Sequence, residues 1–232
     1  AADSEYTYEF TAPETATYVL VPLENTDSYW YIWDEDGSNI DSSWVEEDHG
    51  LSFACEAGKT YRLTVENWYD EEAYYRVQLV KAADLEWVTI SSQDSSSYAG
   101  QRIYLGFEYG PANADPSQII WSVGDENLAE IDYINNQYGD LCLLLKKTGT
   151  VTVTAALSDG TVLASFDVNI EAPEGDLTVG TPVNVSLKKR DSAAYSFTAP
   201  ADGNYVFWSG DETEIDNNYY GYLEVWDSES RL

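Results

Sequence analysis

The sequence has little of what membrane proteins, nucleic-acid-binding proteins and most enzymes need. Its 232 residues include no methionine, two cysteines, one histidine and 11 lysines and arginines. No apolar stretch approaches the ~20 residues of a membrane-spanning helix, so we predict no membrane insertion. The 11 basic residues stand against 42 acidic ones, and the formal net charge is −31. A surface of this sign repels phosphate backbones and anionic lipids, which excludes nucleic acid as a partner.

The motifs of catalysis are also missing from the sequence. The single histidine, His49, lies in the polar turn 46–50. There is no nucleophile elbow, His-Glu-x-x-His pair, phosphate loop or clustered cysteine motif. Nothing separates one catalytic carboxylate pair from the acidic background. We therefore predict that the chain is not an enzyme and requires no cofactor.

The two cysteines do not indicate a disulfide framework. Cys55 and Cys142 lie in different segments of the sequence, each in an apolar, strand-like context. A disulfide between separately folding modules is not expected, so we predict two buried free thiols.

What the sequence does contain is an internal repeat. Residues 8–13 read Tyr-Glu-Phe-Thr-Ala-Pro, and residues 195–200 read Tyr-Ser-Phe-Thr-Ala-Pro. Each copy continues into an aromatic strand that ends in Trp-Asp, at Trp33 and at Trp226. A repeat of this kind indicates a modular array. Arrays of small β modules more often bind ligands or hold other domains in place than catalyse reactions.

Residues 1–83 show period-two alternation and almost no helix signal. Tyr61, Leu63 and Val65, for example, alternate with polar residues, and Asp36-Gly37 marks a turn between strands. This pattern predicts an antiparallel sandwich or jelly roll.

Three motifs of this segment also carry a family resemblance. The strand at 8–13, the hairpin at 31–37 and the segment 57–61 resemble, in the same order, the bacterial pre-peptidase C-terminal domain family. The resemblance implies a jelly-roll sandwich of the kind appended to secreted enzymes and surface proteins. It implies no catalytic residues.

Residues 84–172 carry a second set of motifs. A Pro-Ala-Asn turn precedes Trp121, and residues 149–154 read Gly-Thr-Val-Thr-Val-Thr. These motifs resemble the group 2 bacterial immunoglobulin-like family, which implies an Ig-like sandwich with Trp121 in its core. A polar insertion from Ile134 to Asp140 departs from the family pattern, and the sequence assigns it no role.

Residues 173–232 begin with a linker and hold the second copy of the repeat. Val183, Val185 and Leu187 predict a first strand that the first copy lacks. The second copy stops soon after its Trp-Asp hairpin, so we expect the sequence to be cut from a longer array, with no signal peptide in it. An incomplete sandwich leaves strand edges unpaired. We therefore predict self-association through residues 177–232, with the first copy of the same chain as the alternative partner.

The aromatic strand 29–33 is apolar on both faces. When the two copies are aligned so that Trp33 corresponds to Trp226, Glu224 corresponds to Tyr31. A glutamate is rarely buried without a partner. The other face is apolar in both copies and is therefore the predicted core face. On the outer face we predict five ligand-binding residues: Tyr29, Tyr31, Trp33, Tyr222 and Trp226. The alternative is a packing role against a neighbouring module or covering loop, with Trp44 or Trp68 as partner.

Acidic residues crowd the loops beside this strand. Five of them form a candidate calcium site: Asp34, Asp36, Asp41, Glu46 and Asp48. Hard oxygen ligands suit calcium, but the spacing is not that of an EF-hand, and Asp-Gly is also an ordinary hairpin signal. The sequence is compatible with a calcium site and with a plain hairpin turn at these residues. It is also compatible with three reasons for the overall acidity: calcium binding, solubility and adaptation to high salt.

These features predict an all-β chain of antiparallel β-sandwich modules. The modules are a jelly roll at 1–83, an Ig-like sandwich at 84–172 and a partial jelly roll at 173–232. The predicted role is adhesion or ligand binding and domain display at a bacterial cell surface or in the extracellular space, with a glycan or a surface protein as partner. The alternative is an accessory or spacer region of a large secreted peptidase or glycoside hydrolase, whose catalytic domain lies outside this sequence.

Overall fold

The computed structural model describes residues 5–23, 28–45, 50–66, 74–92, 97–136, 138–187, 193–207 and 225. The chain is an all-β protein, and the one helical element in these residues is a 3-10 turn at Pro116–Gln118. Buried apolar side chains form two separate clusters, one from Ala12 to Val65 and one from Leu85 to Ile170. Two antiparallel sheets enclose each cluster, which gives two sandwiches. No helix in the described ranges has the length and apolarity needed to cross a membrane.

The first sandwich consists of β1 to β7. Its strands are β1 Glu5–Thr11, β2 Ala16–Pro22, β3 Ser28–Trp33, β4 Asn39–Val45, β5 Leu51–Cys55, β6 Thr60–Glu66 and β7 Val77–Lys81. One sheet has the order β1-β6-β3-β4 and the other the order β5-β2-β7, with all neighbours antiparallel. The alternating pattern of the sequence explains the core, because Tyr61, Leu63 and Val65 of β6 are all buried between the sheets.

The second sandwich consists of β8 to β14. Its strands are β8 Trp87–Ser92, β9 Arg102–Gly110, β10 Ile120–Val123, β11 Ala129–Asn135, β12 Asp140–Leu145, β13 Gly149–Ala156 and β14 Val162–Ile170. The sheets have the orders β11-β12-β9-β8 and β10-β13-β14. Trp121 is buried with its ring centroid 4.8 Å from that of Phe107, which confirms the predicted core position. Cys55 in the first sandwich and Cys142 in the second are both buried and free, also as predicted.

A short joint connects the two sandwiches. Residues 82–86 separate β7 from β8, and the N–H of Ala83 donates to the carbonyl of Asn113 at 3.0 Å. Gly50 lies at the same joint, where a Cβ atom would come within 2.7 Å of Val19 Cγ1 and 3.6 Å of the Ala112 carbonyl oxygen. The distance to Ala112 is an ordinary van der Waals contact, so a larger residue at position 50 would clash with Val19 inside the first sandwich, at its border with the second.

The polar insertion Ile134–Asp140 contains a hairpin end. Ile134 pairs with Leu141, and Asn135 pairs with Asp140, where β11 turns into β12. Ile134 and Asn135 line a cleft of about 430 Å³ together with Asp41 of the first sandwich. The insertion therefore lies at the border between the two sandwiches.

The last described segment forms much less regular structure. β15 Gly175–Leu177 pairs in parallel with β16 Tyr195–Phe197. The strand predicted around Val183, Val185 and Leu187 is absent, since the segment belongs to no strand and these side chains are 40%, 50% and 52% exposed. A strand requires a hydrogen-bonded neighbour, and no segment in the described part of the chain pairs with this one.

Candidate functional site

The alternation of β3 divides its side chains between two faces. Trp30 and Ile32 are 2% and 0% exposed and belong to the core of the first sandwich. Tyr29, Tyr31 and Trp33 are half-buried on the opposite face. This confirms the predicted core and outer faces of the strand. Tyr29, Tyr31 and Trp33 are called the aromatic row below.

The rings of the aromatic row contact one another along the strand. The ring centroids of Tyr29 and Tyr31 are 5.0 Å apart with an interplanar angle of 65°. Those of Tyr31 and Trp33 are 5.9 Å apart with planes only 23° from parallel. Residues two apart on a strand share a face, so the spacing in the sequence directly produces this contact. Tyr31 and Trp33 together give two neighbouring, nearly parallel ring planes.

Trp44 extends the aromatic row onto the next strand. The register of β3 with β4 places Trp44 opposite Tyr29, and their ring centroids are 5.5 Å apart at 81°. Trp44 thus lies beside the row on the same face of the sheet. From the sequence alone, Trp44 is considered only as a packing partner. The position of Trp44 opposite Tyr29 depends on a β-bulge between Ile32 and Trp33, which the sequence does not reveal. Trp68, the other partner considered, lies outside the described residues.

Hydroxyl groups hold the two tyrosines of the row in place. The Tyr29 hydroxyl donates to Ser42 Oγ at 3.2 Å, and the Tyr31 hydroxyl donates to Glu66 Oε2 at 3.3 Å. Each bond joins the ring to a neighbouring strand of the same sheet. The rings are therefore oriented before any ligand arrives, which lowers the entropy cost of binding.

Polar side chains continue the same face toward β1. Arg62 lies opposite Trp33 in the β3–β6 pairing and forms an ion pair with Glu9 at 3.8 Å. The hydroxyls of Thr7 and Thr64 are 3.0 Å apart. Arg62 and Glu9 side chains are 46% and 72% exposed, so their pairing adds little stability, and both remain accessible to a ligand. The outer face thus combines aromatic rings with hydrogen-bonding groups.

The candidate calcium residues are only partly described. Asp34 accepts a hydrogen bond from the Ser38 N–H at 2.8 Å through its side chain and from the Gly37 N–H at 3.1 Å through its carbonyl. Gly37 has φ +81°, a conformation that favours glycine. These bonds are those of a hairpin turn. In the described part of the chain no three His, Cys, Asp or Glu side chains are placed to hold a metal ion.

Asp41 does not belong with the loop acids. It lies within β4, and the register places it opposite Ile32, on the core side of the sheet. There it borders the cleft between the sandwiches. Neighbouring atoms partly desolvate its carboxyl group, which raises the pKa of Asp41, while the hydrogen bond from the Ser42 N–H opposes the shift. Asp41 therefore lies in a strand and not in the loop that holds Asp34 and Asp36, and the calcium site stays a prediction.

Several predicted site residues lie outside the described part of the chain. These are the ligand-binding candidates Tyr222 and Trp226 and the calcium candidates Glu46 and Asp48. The predicted correspondence between the second aromatic strand and the first remains a prediction.

Comparisons with known proteins identify no family. No family model matches the chain, and no curated protein matches it. One similar solved structure is a C-terminal 282-residue fragment of intimin in complex with the intimin-binding domain of the translocated intimin receptor. It shares 11% identity with a TM-score of 0.24, over 73% of this chain and 64% of that one. Another is a glycoside hydrolase family 32 protein from Bifidobacterium adolescentis, with 10% identity and a TM-score of 0.22, over 73% and 40% of the two chains.

The chain therefore spans less than two thirds of either solved structure. At these TM-scores neither likeness carries a functional argument. The resemblances to the pre-peptidase C-terminal and bacterial Ig-like families stay predictions from the sequence.

Proposed function

We propose that the chain is a non-enzymatic binding segment of an extracellular bacterial surface or secreted protein, and that the aromatic row is its contact surface. One observation carries the proposal. Tyr29, Tyr31 and Trp33 stand on the outer face of a sheet whose other face already supplies the core. Contact surfaces typically contain neighbouring aromatic side chains that lie outside the core and remain partly exposed.

The chemistry of the face favours a neutral polysaccharide as the ligand. Nearly parallel rings such as those of Tyr31 and Trp33 can stack on the C–H faces of sugar rings, as amphipathic aromatic surfaces do. Arg62, Glu9 and Ser42 supply donors and acceptors for sugar hydroxyls at the edge of the row. The net charge of −31 disfavours anionic glycans.

Trp33→Ala combined with Tyr31→Ala tests this surface. The wild-type chain is run by affinity electrophoresis against a panel of neutral polysaccharides, including cellulose derivatives, xylan, mannan and starch. In the double variant the affinity for at least one of these polysaccharides should fall about 30-fold or more, since each buried aromatic contact contributes over ~1 kcal/mol to binding. The melting temperature should change by only a few degrees, because the two rings do not belong to the core cluster.

Tyr133→Ala is the matched control. Tyr133 is a 45% exposed tyrosine on the second sandwich that contacts Tyr104 at a centroid distance of 6.2 Å. It removes a partly exposed aromatic residue without touching the row, and it should leave retention unchanged. Loss of stability without loss of binding in the double variant would assign the row to packing. Equal loss of retention in the control would show that the binding is not specific to the row.

A further inference from the structure

The cleft between the two sandwiches is rich in groups that accept hydrogen bonds. Its volume of about 430 Å³ lies within the range of cavities that hold small organic ligands. The first sandwich contributes residues of β2, β4 and β5, and the second contributes the 3-10 turn and the end of β11. The described residues that line the cleft include two carboxyl groups and several hydroxyl and amide side chains, but no lysine, arginine or histidine.

Asp115 is a buried carboxyl group that uses only one of its two oxygens. The residue is 6% exposed. The N–H of Ser117 donates to Asp115 Oδ1 at 3.0 Å, and the hydroxyl of Ser52 donates to the same oxygen at 3.5 Å. No donor in the described part of the chain bonds to Oδ2. Burial raises the pKa of Tyr109 to about 12, and the negative charge of Asp115 contributes to that rise.

Asn136 supplies a second acceptor without a donor. It lines the cleft directly after β11, and its side-chain oxygen is buried with no hydrogen-bond partner among the described residues. A buried carbonyl oxygen that loses its water without gaining another donor destabilises the folded state. Such atoms are rare in folded proteins and mark places where a ligand can supply the hydrogen bond.

Asp41 faces the same cleft from the first sandwich. Its Oδ1 accepts the N–H of Ser42 at 2.8 Å, and partial desolvation raises the pKa of its carboxyl group. None of the ion pairs in the described ranges includes Asp41 or Asp115. One cavity therefore receives uncompensated negative charge from both sandwiches.

The sequence beside the cleft offers little positive charge. Residues 46–49, which connect Val45 to Gly50, read Glu-Glu-Asp-His, and residue 137 is glutamine. A histidine with an ordinary pKa is mostly neutral at pH 7. A cation from outside the chain therefore meets no fixed positive charge from these neighbours in the sequence.

The lining favours an organic cation over a metal ion. No three His, Cys, Asp or Glu side chains of the described chain are placed to hold a metal, whereas calcium takes about six to eight oxygen ligands. An ammonium group has three donors and no acceptor, and it binds carboxylates without a fixed coordination geometry. Phe53, Pro116 and Ile134 add apolar surface to the cleft, which suits the methylene groups of an aliphatic amine.

We propose that the cleft binds a short aliphatic diamine or polyamine. One ammonium group bonds to Asp115 Oδ2 and to the buried oxygen of Asn136, and another pairs with Asp41. The methylene groups between them contact the apolar lining residues. The ligand thus connects a carboxyl group of the first sandwich to one of the second.

Isothermal titration calorimetry with putrescine on the full chain tests the proposal. The buffer contains ~0.15 M NaCl, which screens loose attraction to the net charge of −31. Asp115→Asn removes a charge but keeps the cap of the 3-10 turn, because asparagine caps as well as aspartate does. Putrescine affinity should fall about tenfold or more, the contribution of one hydrogen bond to a charged group. Asp36→Asn removes the same charge from the exposed hairpin tip and should bind as the wild type does.

Comparison with n-butylamine tests whether two carboxyl groups take part. This amine has one ammonium group and should bind about tenfold more weakly than putrescine. Asp41→Asn should reduce the affinity for putrescine to that for n-butylamine and leave n-butylamine binding unchanged. Equal effects on both ligands would show that Asp41 does not hold a second ammonium group.

Asn136→Ala separates a binding role from a structural one. Removing a buried acceptor that has no donor should leave the melting temperature of the free protein unchanged or raise it. The same variant should bind putrescine more weakly. A lower melting temperature with unchanged putrescine affinity would assign Asn136 to the fold alone and contradict its role in the site.

Other results would overturn the proposal as a whole. These are a wild type that does not bind putrescine, equal weakening in Asp115→Asn and Asp36→Asn, and displacement of putrescine by calcium or glucosamine of higher affinity. A wild type that does not bind, combined with a lower melting temperature in Asp115→Asn, would show that groups of the chain itself satisfy the cleft. None of these variants alters the aromatic row, so polysaccharide retention reports separately on the proposed function.

Discussion

The two sandwiches have seven described strands each, but in the described structure their cores are not equally covered. In the second sandwich Ile103, Leu105, Leu143 and Val153 are all 0% exposed. In the first, Tyr6 and Tyr8 keep 62% and 59% of their surface exposed on the core side of β1. The same number of described strands therefore covers the core side of the second sandwich more fully than that of the first.

The difference does not lie in how the strands are divided between layers, because both sandwiches have a four-stranded and a three-stranded sheet. In the second, β8 and β14 close one side of the core, with aliphatic side chains filling the interior. In the first, the core-side residues Tyr6 and Tyr8 of the edge strand β1 stay largely exposed in the described structure. Burial, rather than strand number, decides where an edge remains available.

Truncating a core leucine in each sandwich should give the largest contrast. Leu143→Ala removes a fully buried side chain from the closed core and should cost about 3 kcal/mol of unfolding free energy. Leu79→Ala removes a partly buried side chain beside the first core and should cost roughly 1 kcal/mol, because less apolar area is lost. Urea unfolding followed by tryptophan fluorescence measures both. Equal losses would mean that the first core is as closed as the second.

Thiol labelling should show a smaller difference between the sandwiches. Burial raises the pKa of Cys55 to about 11, so this thiol stays protonated at pH 8, and Cys142 is 0% exposed. Since the thiolate is the reactive form, neither should react in the native protein. In rising urea Cys55 should become reactive roughly 1 M earlier than Cys142, because the less fully covered core of the first sandwich is expected to unfold first. Mass spectrometry of the labelled peptides identifies each site, and labelling of Cys142 first would reverse the ranking.

The smallest effect is expected in the cleft between the sandwiches. The pKa of Asp41 is raised from 3.8, so the folded state holds its proton more tightly than the unfolded state does. Its ionisation therefore costs stability as the pH rises through the window above 3.8. Asp41→Asn should raise the melting temperature slightly at pH 7 and leave it unchanged at pH 3. Asp36→Asn, at the exposed hairpin tip, controls for the removal of one negative charge.

The sequence predicts the faces of β3 well but not its neighbours. Trp30 and Ile32 fall on the core face because strand side chains alternate strictly, and comparison of the repeat copies identifies that face. Asp41 was misplaced because the bulge in the β3–β4 pairing shifts the register by one residue. A bulge depends on tertiary twist and leaves no clear signal in a single sequence.

The apolar segment 181–187 shows a related limit. Its alternation predicts a strand, but the segment belongs to no strand in the described structure. A strand forms only where another segment supplies hydrogen bonds. The alternation of a single sequence cannot say whether such a neighbour is present.

The joint at residues 82–86 has a mechanical consequence. The connection has only five residues, and a backbone hydrogen bond between Ala83 and Asn113 restrains it, which leaves little room for rotation between the sandwiches. A connection this short behaves as a stiff coupling rather than a flexible tether. Tension on the chain passes from β7 into β8 without first extending a slack linker. The orientation of the aromatic row is then fixed relative to the second sandwich.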